Sequence, residues 1–189
     1  MKSLAGQLLL SSPRLVDPNF AKTVVLMVQH DGDGALGVVL NRALDVSVKD
    51  ACSKVLETPC TLDGVIYHGG PCPGPLMVVH SDPSQAQIEV CRGAHFTTER
   101  HHIESLLQRT DIRHKFFIGY AGWAAGQLDA EMETGSWLTT PATADEVFDT
   151  DTDTDTDTDG ARHWTRLTTQ VTVGRWVNPK MIPKDPKMN

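Results

Sequence analysis

Apolar residues in this chain come in short runs of four to seven rather than in long helical stripes. Leu4–Leu10, Thr23–Gln29 and Ala35–Leu40 are the first three, rich in leucine and valine, and they predict strands. The second and third flank His30-Asp31-Gly32-Asp33-Gly34. A Gly/Asp loop between two apolar runs predicts a hairpin, because glycine supplies the positive φ that the turn requires. Val65–His68, Leu76–His80, Gln87–Arg92 and Lys115–Tyr120 read as four further strands. Helical spacing occurs in three places. Ser47 can cap a helix that presents Val48, Ala51, Cys52, Val55 and Leu56 on one face. Thr98 reads as the cap of a helix running to about Arg109, with Ile103, Leu106 and Leu107 at core spacing. Ala124–Glu133 predicts a helix that buries Leu128 and Met132.

Strands joined by hairpins, with a few helices between them, do not make the βαβα rhythm of a parallel doubly wound sheet. The pattern predicts an α+β fold in a single compact domain over residues 1–177. Two segments stand apart. Residues 149–160 hold a perfect Asp-Thr alternation, expected to be a disordered insertion. Residues 178–189, with Pro179, Pro183 and Pro186, are expected to form an extended C-terminal tail.

Charge changes the picture only once it is located. The 189 residues carry 17 basic and 24 acidic side chains, but six of the acids are Asp149, Asp151, Asp153, Asp155, Asp157 and Asp159. Setting these aside leaves 18 acids against 17 bases, so the formal charge of -7 belongs mostly to one segment and says little about partners. The longest aliphatic run, Val24–Val28, is far short of a membrane span. Gln7 follows Leu4-Ala5-Gly6 where a lipoprotein leader would need cysteine, and no secretory cleavage pattern follows. Cys52, Cys60, Cys72 and Cys91 form no C-x-x-C pair. A cytoplasmic protein with reduced thiols and no membrane association is the expectation.

Candidate chemistry is sparse. Asp155-Thr156-Asp157-Thr158-Asp159-Gly160 matches the first half of a calcium loop, but Arg166 stands where a bidentate glutamate should close it, and a cation there repels calcium. The eight histidines fall in no metal-ligand spacing, so neither metal nor cofactor is expected. No G-x-S-x-G elbow is present, and Cys72 and Cys91 read as inert unless a histidine activates them. Gly69-Gly70-Pro71-Cys72-Pro73-Gly74 is glycine-rich, but its prolines lack the N–H donors that cradle phosphate. Arg92–Lys115 collects bases, yet a strand follows the helix where a helix-turn-helix needs its second helix. A solvated helix face explains this patch better than DNA binding.

Gly119-Tyr120-Ala121-Gly122-Trp123-Ala124-Ala125-Gly126-Gln127-Leu128-Asp129-Ala130-Glu131 resembles the signature of the YqgE/AlgH family, also called UPF0301 or DUF179. Ser12-Pro13, Asp17-Pro18, Phe20, Gly37–Asn41, His68-Gly69-Gly70-Pro71, Trp137-Leu138 and Pro141-Ala142 follow in family order. The resemblance covers about residues 4 to 148 and resumes at Trp164, so the Asp-Thr tract reads as an expansion of one junction. It implies a bent, partly barrel-like mixed sheet flanked by helices. No catalytic residue can be carried over, and the family's transcriptional-regulator label rests on no recognisable DNA-binding motif.

The signature glycines suit tight packing, while polar-tipped residues beside turns suit a pocket. The candidate pocket or signature residues are Asn41, Gly69, Gly70, Pro71, Tyr120, Trp123 and Gln127. The leading expectation is a non-enzymatic domain acting through a protein or small-molecule partner. Its rivals are a transcriptional regulator and an enzyme with a Cys/His or Asn/Gln pocket.

Overall fold

The computed structural model describes residues 2–55, 60, 62–148 and 160–176. The Asp-Thr repeat of residues 149–159, which carries the half calcium loop, and the tail of residues 178–189 lie outside the described residues. The described chain is an α+β domain built on ten strands and five helices. The strands are β1 (Gln7–Ser11), β2 (Val24–Asp31), β3 (Gly34–Val39), β4 (Ala43–Ser47) and β5 (Val65–His68). They continue with β6 (Cys72–His80), β7 (Ile88–Cys91), β8 (Ala94–Thr97), β9 (His114–Ala124) and β10 (Trp137–Pro141). The helices are α1 (Val48–Val55), α2 (Arg100–Leu106), α3 (Gln127–Glu133), α4 (Ala144–Val147) and α5 (Ala161–Trp176).

The strands join in one open sheet in the order β10-β1-β2-β3-β9-β6-β8-β7, with β5 on β9 and β4 on β5. Every pairing is antiparallel except β5 with β9, so the sheet is mixed as expected, but it does not close. β9 is the hinge of the arrangement. Its first half lies between β5 and β6, and its second half, Ala121–Ala124, pairs with Gly34–Gly37 of β3.

Burial follows the alternation of each strand. Leu8, Leu10, Leu26, Val38, Met77, Phe96 and Phe117 gather in a central cluster, to which α4 and α5 add Val147 and Leu167. On the other side of β1–β3, Leu9, Val25, Met27 and Val39 pack beneath α3 with Trp123 and Trp137. On the other side of β5, β6 and β9, Ile66, Val78 and Phe116 are covered by α1 and by Ile103 and Leu106 of α2. Three apolar layers thus share one sheet.

Several expected boundaries move. The β2–β3 hairpin forms as read, with Asp31 accepting from the Asp33 backbone at 2.9 Å. Ser47 caps α1 through the Asp50 backbone at 3.0 Å. Thr98 does not cap α2: its hydroxyl and amide both donate to Gln87, and α2 begins at Arg100. The predicted helix at Ala124 starts later, at Gln127, because β9 runs on to Ala124 and Gly126 adopts φ +74°. Strands β4, β8 and β10 are additional to the predicted set.

Candidate functional site

The signature segment is held by its own hydrogen bonds. The Trp123 and Trp137 indoles both donate to one oxygen of Glu131, at 2.9 and 2.8 Å, and Gln127 donates to the other at 3.0 Å. Gln127 in turn accepts from the Ala124 backbone at 3.1 Å. Phe20 stacks on Trp123 and meets Trp137 edge-on, with centroids 6.0 and 5.4 Å apart. One carboxylate therefore clasps α3 to β9 and β10, with each buried indole N–H satisfied.

Gly69, Gly70 and Pro71 carry the chain from β5 to β6, which lie on opposite edges of β9, so this segment must cross that strand. The crossing is backbone on backbone. A Cβ on Gly69 would collide with the Gly119 carbonyl, and one on Gly70 with the Tyr120 backbone. A Cβ on Gly119 would stand 2.5 Å from the Gly70 oxygen. Gly70 and Gly119 also hold φ values of +149° and +75°, which side-chain-bearing residues rarely adopt. The Tyr120 ring closes the crossing by lying against Gly122 and Gly74.

Asn41 stands between Val39, whose N–H donates to Gly69, and Arg42, whose carbonyl accepts from His68. Its own side chain turns elsewhere. It accepts from the Val24 backbone and donates to the Lys22 and Gly160 carbonyls, each at 2.9 Å. Asn41 thus pins the entry of α5 to the start of β2, and Gly160, read from sequence as part of the insertion, is buried there. Trp164 adds a hydrogen bond to the Ser11 carbonyl, and Arg166, at the position a calcium loop would need for glutamate, forks onto Glu146 at 2.9 and 2.8 Å. The sequence-read residues therefore gather in three places: the clasp (Trp123, Gln127), the crossing (Gly69, Gly70, Pro71, Tyr120) and the helix anchor (Asn41).

A different region holds a cavity that none of the sequence-read residues lines. About 460 Å³ of space opens at the start of β9, beside β5 and the first turn of α1. Val48, Val65, Ile112, Phe116 and Phe148 form its apolar wall, and Asp63, Tyr67, Arg113, His114 and Lys115 its polar one. Lys115 is buried, with its ammonium 4.7 Å from the centre of the Tyr67 ring. The Arg113 guanidinium lies 4.9 Å over Phe148 and donates to Asp145 at 2.8 Å. Strand register extends this polar side into the fold, because His114 on β9 faces His80 on β6, and His80 faces His95 on β8. Four buried ring nitrogens in this row meet no hydrogen-bond partner: both of His80, Nδ1 of His95 and Nε2 of His114. Burial, reinforced by the neighbouring His95, pushes the His80 pKa down to about 4.

Sequence reasoning missed this region. Its cations were read with the α2 patch, and its walls come from segments far apart in the chain. Other chemistry finds little support in the geometry. Burial pushes the Cys52 thiol up to about 12, with the nearby Cys60 adding to the effect, and burial also raises Cys91. Neither supplies a thiolate at neutral pH. No group of three or more metal-ligating side chains is arranged to hold an ion among the described residues. The bases near α2 face acids: Arg100 meets Glu104, and Arg109 meets Asp111 and Asp82. No second helix separates α2 from β9. No helix among the described residues is long and apolar enough to cross a membrane.

The family described as DUF179, AlgH-like, matches residues 8–173. A UPF0301 protein of Chlorobaculum tepidum is 38% identical over 149 residues, covering 76% of this chain and 78% of its own. A UPF0301 protein of Xanthomonas campestris is 36% identical over 154 residues, covering 78% and 82%. The solution structure of the AlgH protein from Pseudomonas aeruginosa superposes with a TM-score of 0.69 at 27% identity, covering 100% of this chain and 97% of the other. A crystal structure of a Corynebacterium diphtheriae protein, 22% identical with a TM-score of 0.67, covers 90% and 87% and shares the fold.

Proposed function

The chain belongs to the AlgH-like family, and on that premise we propose that it acts in the cytoplasm as a binding domain without a reaction of its own. Its ligand is a small molecule held in the cleft at the start of β9. The observation that carries this reading is the cavity of about 460 Å³, within the range of about 300–1,000 Å³ common for ligand sites. Apolar walls and a few convergent polar groups are the usual composition of such a site. One residue of its lining, His114, carries a buried ring nitrogen without an internal partner, and strand register continues from it to His80 and His95.

In this reading the signature residues support the scaffold, and residues 149–159 are an insertion into a domain that otherwise spans 1–177. The regulator alternative has weaker support, because the α2 bases already face carboxylates. The test is an amide NMR screen with a library of small fragments. The expected result is saturable shifts confined to residues 63–67, 112–116 and 148. Binding that leaves these signals unmoved and perturbs another surface overturns the proposal, as does a turnover abolished by one substitution in the cleft.

A further inference from the structure

We propose that the sheet face beneath α2 is an acid-operated latch: in mild acid His80 takes up a proton, and α2 lifts from the sheet while the rest of the domain stays folded. Strand alternation puts the parts of this latch on one side. His80 follows Val78 by two residues on β6, and Val78 packs with Ile103, Leu106 and Leu107 of the α2 segment. His95 lies opposite His80 on β8, with ring centres 5.9 Å apart. Thr97, two residues further along β8, meets His102 of α2 at 3.2 Å. His114 lies opposite His80 on β9. Four imidazoles from four elements thus share one face.

That face is poorly equipped to hold a positive charge. Neither nitrogen of His80 makes a hydrogen bond, so an imidazolium there would bury two unmet donors. His95 and His102 oppose its charge, and Asp82 favours it. The Asp82 carboxylate is already engaged, by the Ser84 amide and hydroxyl at 2.9 and 2.7 Å and by Arg109 at 3.2 Å. Glu89, opposite His95 on β7, is exposed. Glu99, Arg100, His101 and Glu104 sit in neighbouring pairs on the solvent side of α2.

The element that yields is α2. Its seven residues make about two turns, too short a helix to persist unless docked. It is held by Ile103, Leu106 and Leu107, by the Thr97–His102 contact and by the Arg109–Asp82 pair. Lifting it wets His80, whose pKa returns to its ordinary 6.5 from about 4 in the closed fold, where burial and then His95 hold it down. As pH falls, the opened form therefore binds the proton first, and opening gains about twentyfold between pH 7 and pH 5. The clasp of Trp123, Trp137 and Glu131 lies in another layer and takes no part.

The test is amide hydrogen exchange of the full chain at pH 7 and pH 5, followed by NMR and corrected for intrinsic exchange rates. The Ile103 and Leu107 amides, which donate to the Glu99 and Ile103 carbonyls, should lose protection about twentyfold. Amides of β1 and β2 should remain the slower set at both pH values. His80→Leu should remove most of the α2 loss. Full acid sensitivity in that variant, or unchanged α2 protection in the wild-type chain, overturns the latch. So do α2 amides that exchange no faster than those of β2, because α2 would then open only with the whole domain. Should His80→Leu fail to fold, the wild-type comparison of α2 with β2 decides by itself.

Discussion

One strand carries two unlike regions. The second half of β9 holds the signature, where the indoles of Trp123 and Trp137 and the amide of Gln127 all converge on Glu131. At its first residues, His114 opens a row of rings whose buried nitrogens meet nothing. Both regions are packed against helices and both are rich in polar-tipped side chains. They differ in whether the fold itself completes those polar groups. A buried donor left unmet costs stability, about 1–3 kcal/mol each, so a domain keeps such groups for reasons outside its own packing. The motif that identifies the family completes its polar groups from within, and the segment before it is where our proposal places the ligand.

The contrast can be broken most severely at the crossing. Gly70→Ala places a methyl group into the Tyr120 backbone at a φ of +149°, with nothing flexible to yield. The expected cost exceeds about 4 kcal/mol, seen as loss of soluble folded protein or of the cooperative urea transition. An ordinary transition in this variant would mean that the two backbones do not touch.

Next comes the clasp. Glu131→Ala leaves two buried indoles without an acceptor and should cost about 2–4 kcal/mol in urea unfolding, with Glu131→Gln losing less because one oxygen remains. A loss under about 0.5 kcal/mol would place Glu131 among ordinary surface residues and erase the contrast.

The histidine row gives the smallest and most pH-specific effect. Folding lowers the His80 pKa from its ordinary 6.5 to about 4, mainly through burial, then through His95, with His102 acting in the same direction and Asp82 opposing. As pH falls, the unfolded chain binds this proton first. The stability linked to neutral His80 is thus complete above about pH 6.5 and is lost between there and about pH 4, by no more than about 3 kcal/mol. Urea transitions across that window should show this slope, and His80→Leu should flatten it. An unchanged slope in His80→Leu would assign the acid sensitivity to other groups.

What the sequence revealed depended on whether a pattern was local. β2 and β3 were legible because a β-branched run and its turn lie side by side. β8 was missed because its residues, Ala94, His95, Phe96 and Thr97, do not look like a core strand, although all four are buried. β4 was missed because most of its residues face solvent. Gly69, Gly70 and Gly119 could be singled out as glycines that matter, but their mutual contact required the topology. The cleft was illegible for a similar reason. Its walls come from α1, β5 and β9 and from Phe148, and nothing in Arg113-His114-Lys115 announces that the lysine is buried and the arginine half exposed. His80, His95 and His114 become a row only through strand register, which no spacing rule encodes.

The central place of β9 also dictates how the chain can fold. β3, β5 and β6, the strands it joins, all precede it in sequence, and the segment that crosses it is complete before it begins. The sheet cannot grow by adding one hairpin after another, because its three parts have no common strand until His114–Ala124 is in place. Such distant pairing belongs to the slow range of folding, roughly milliseconds to seconds. Until then three strands present unpaired edges to any neighbouring chain, and aggregation competes with the insertion of a single strand.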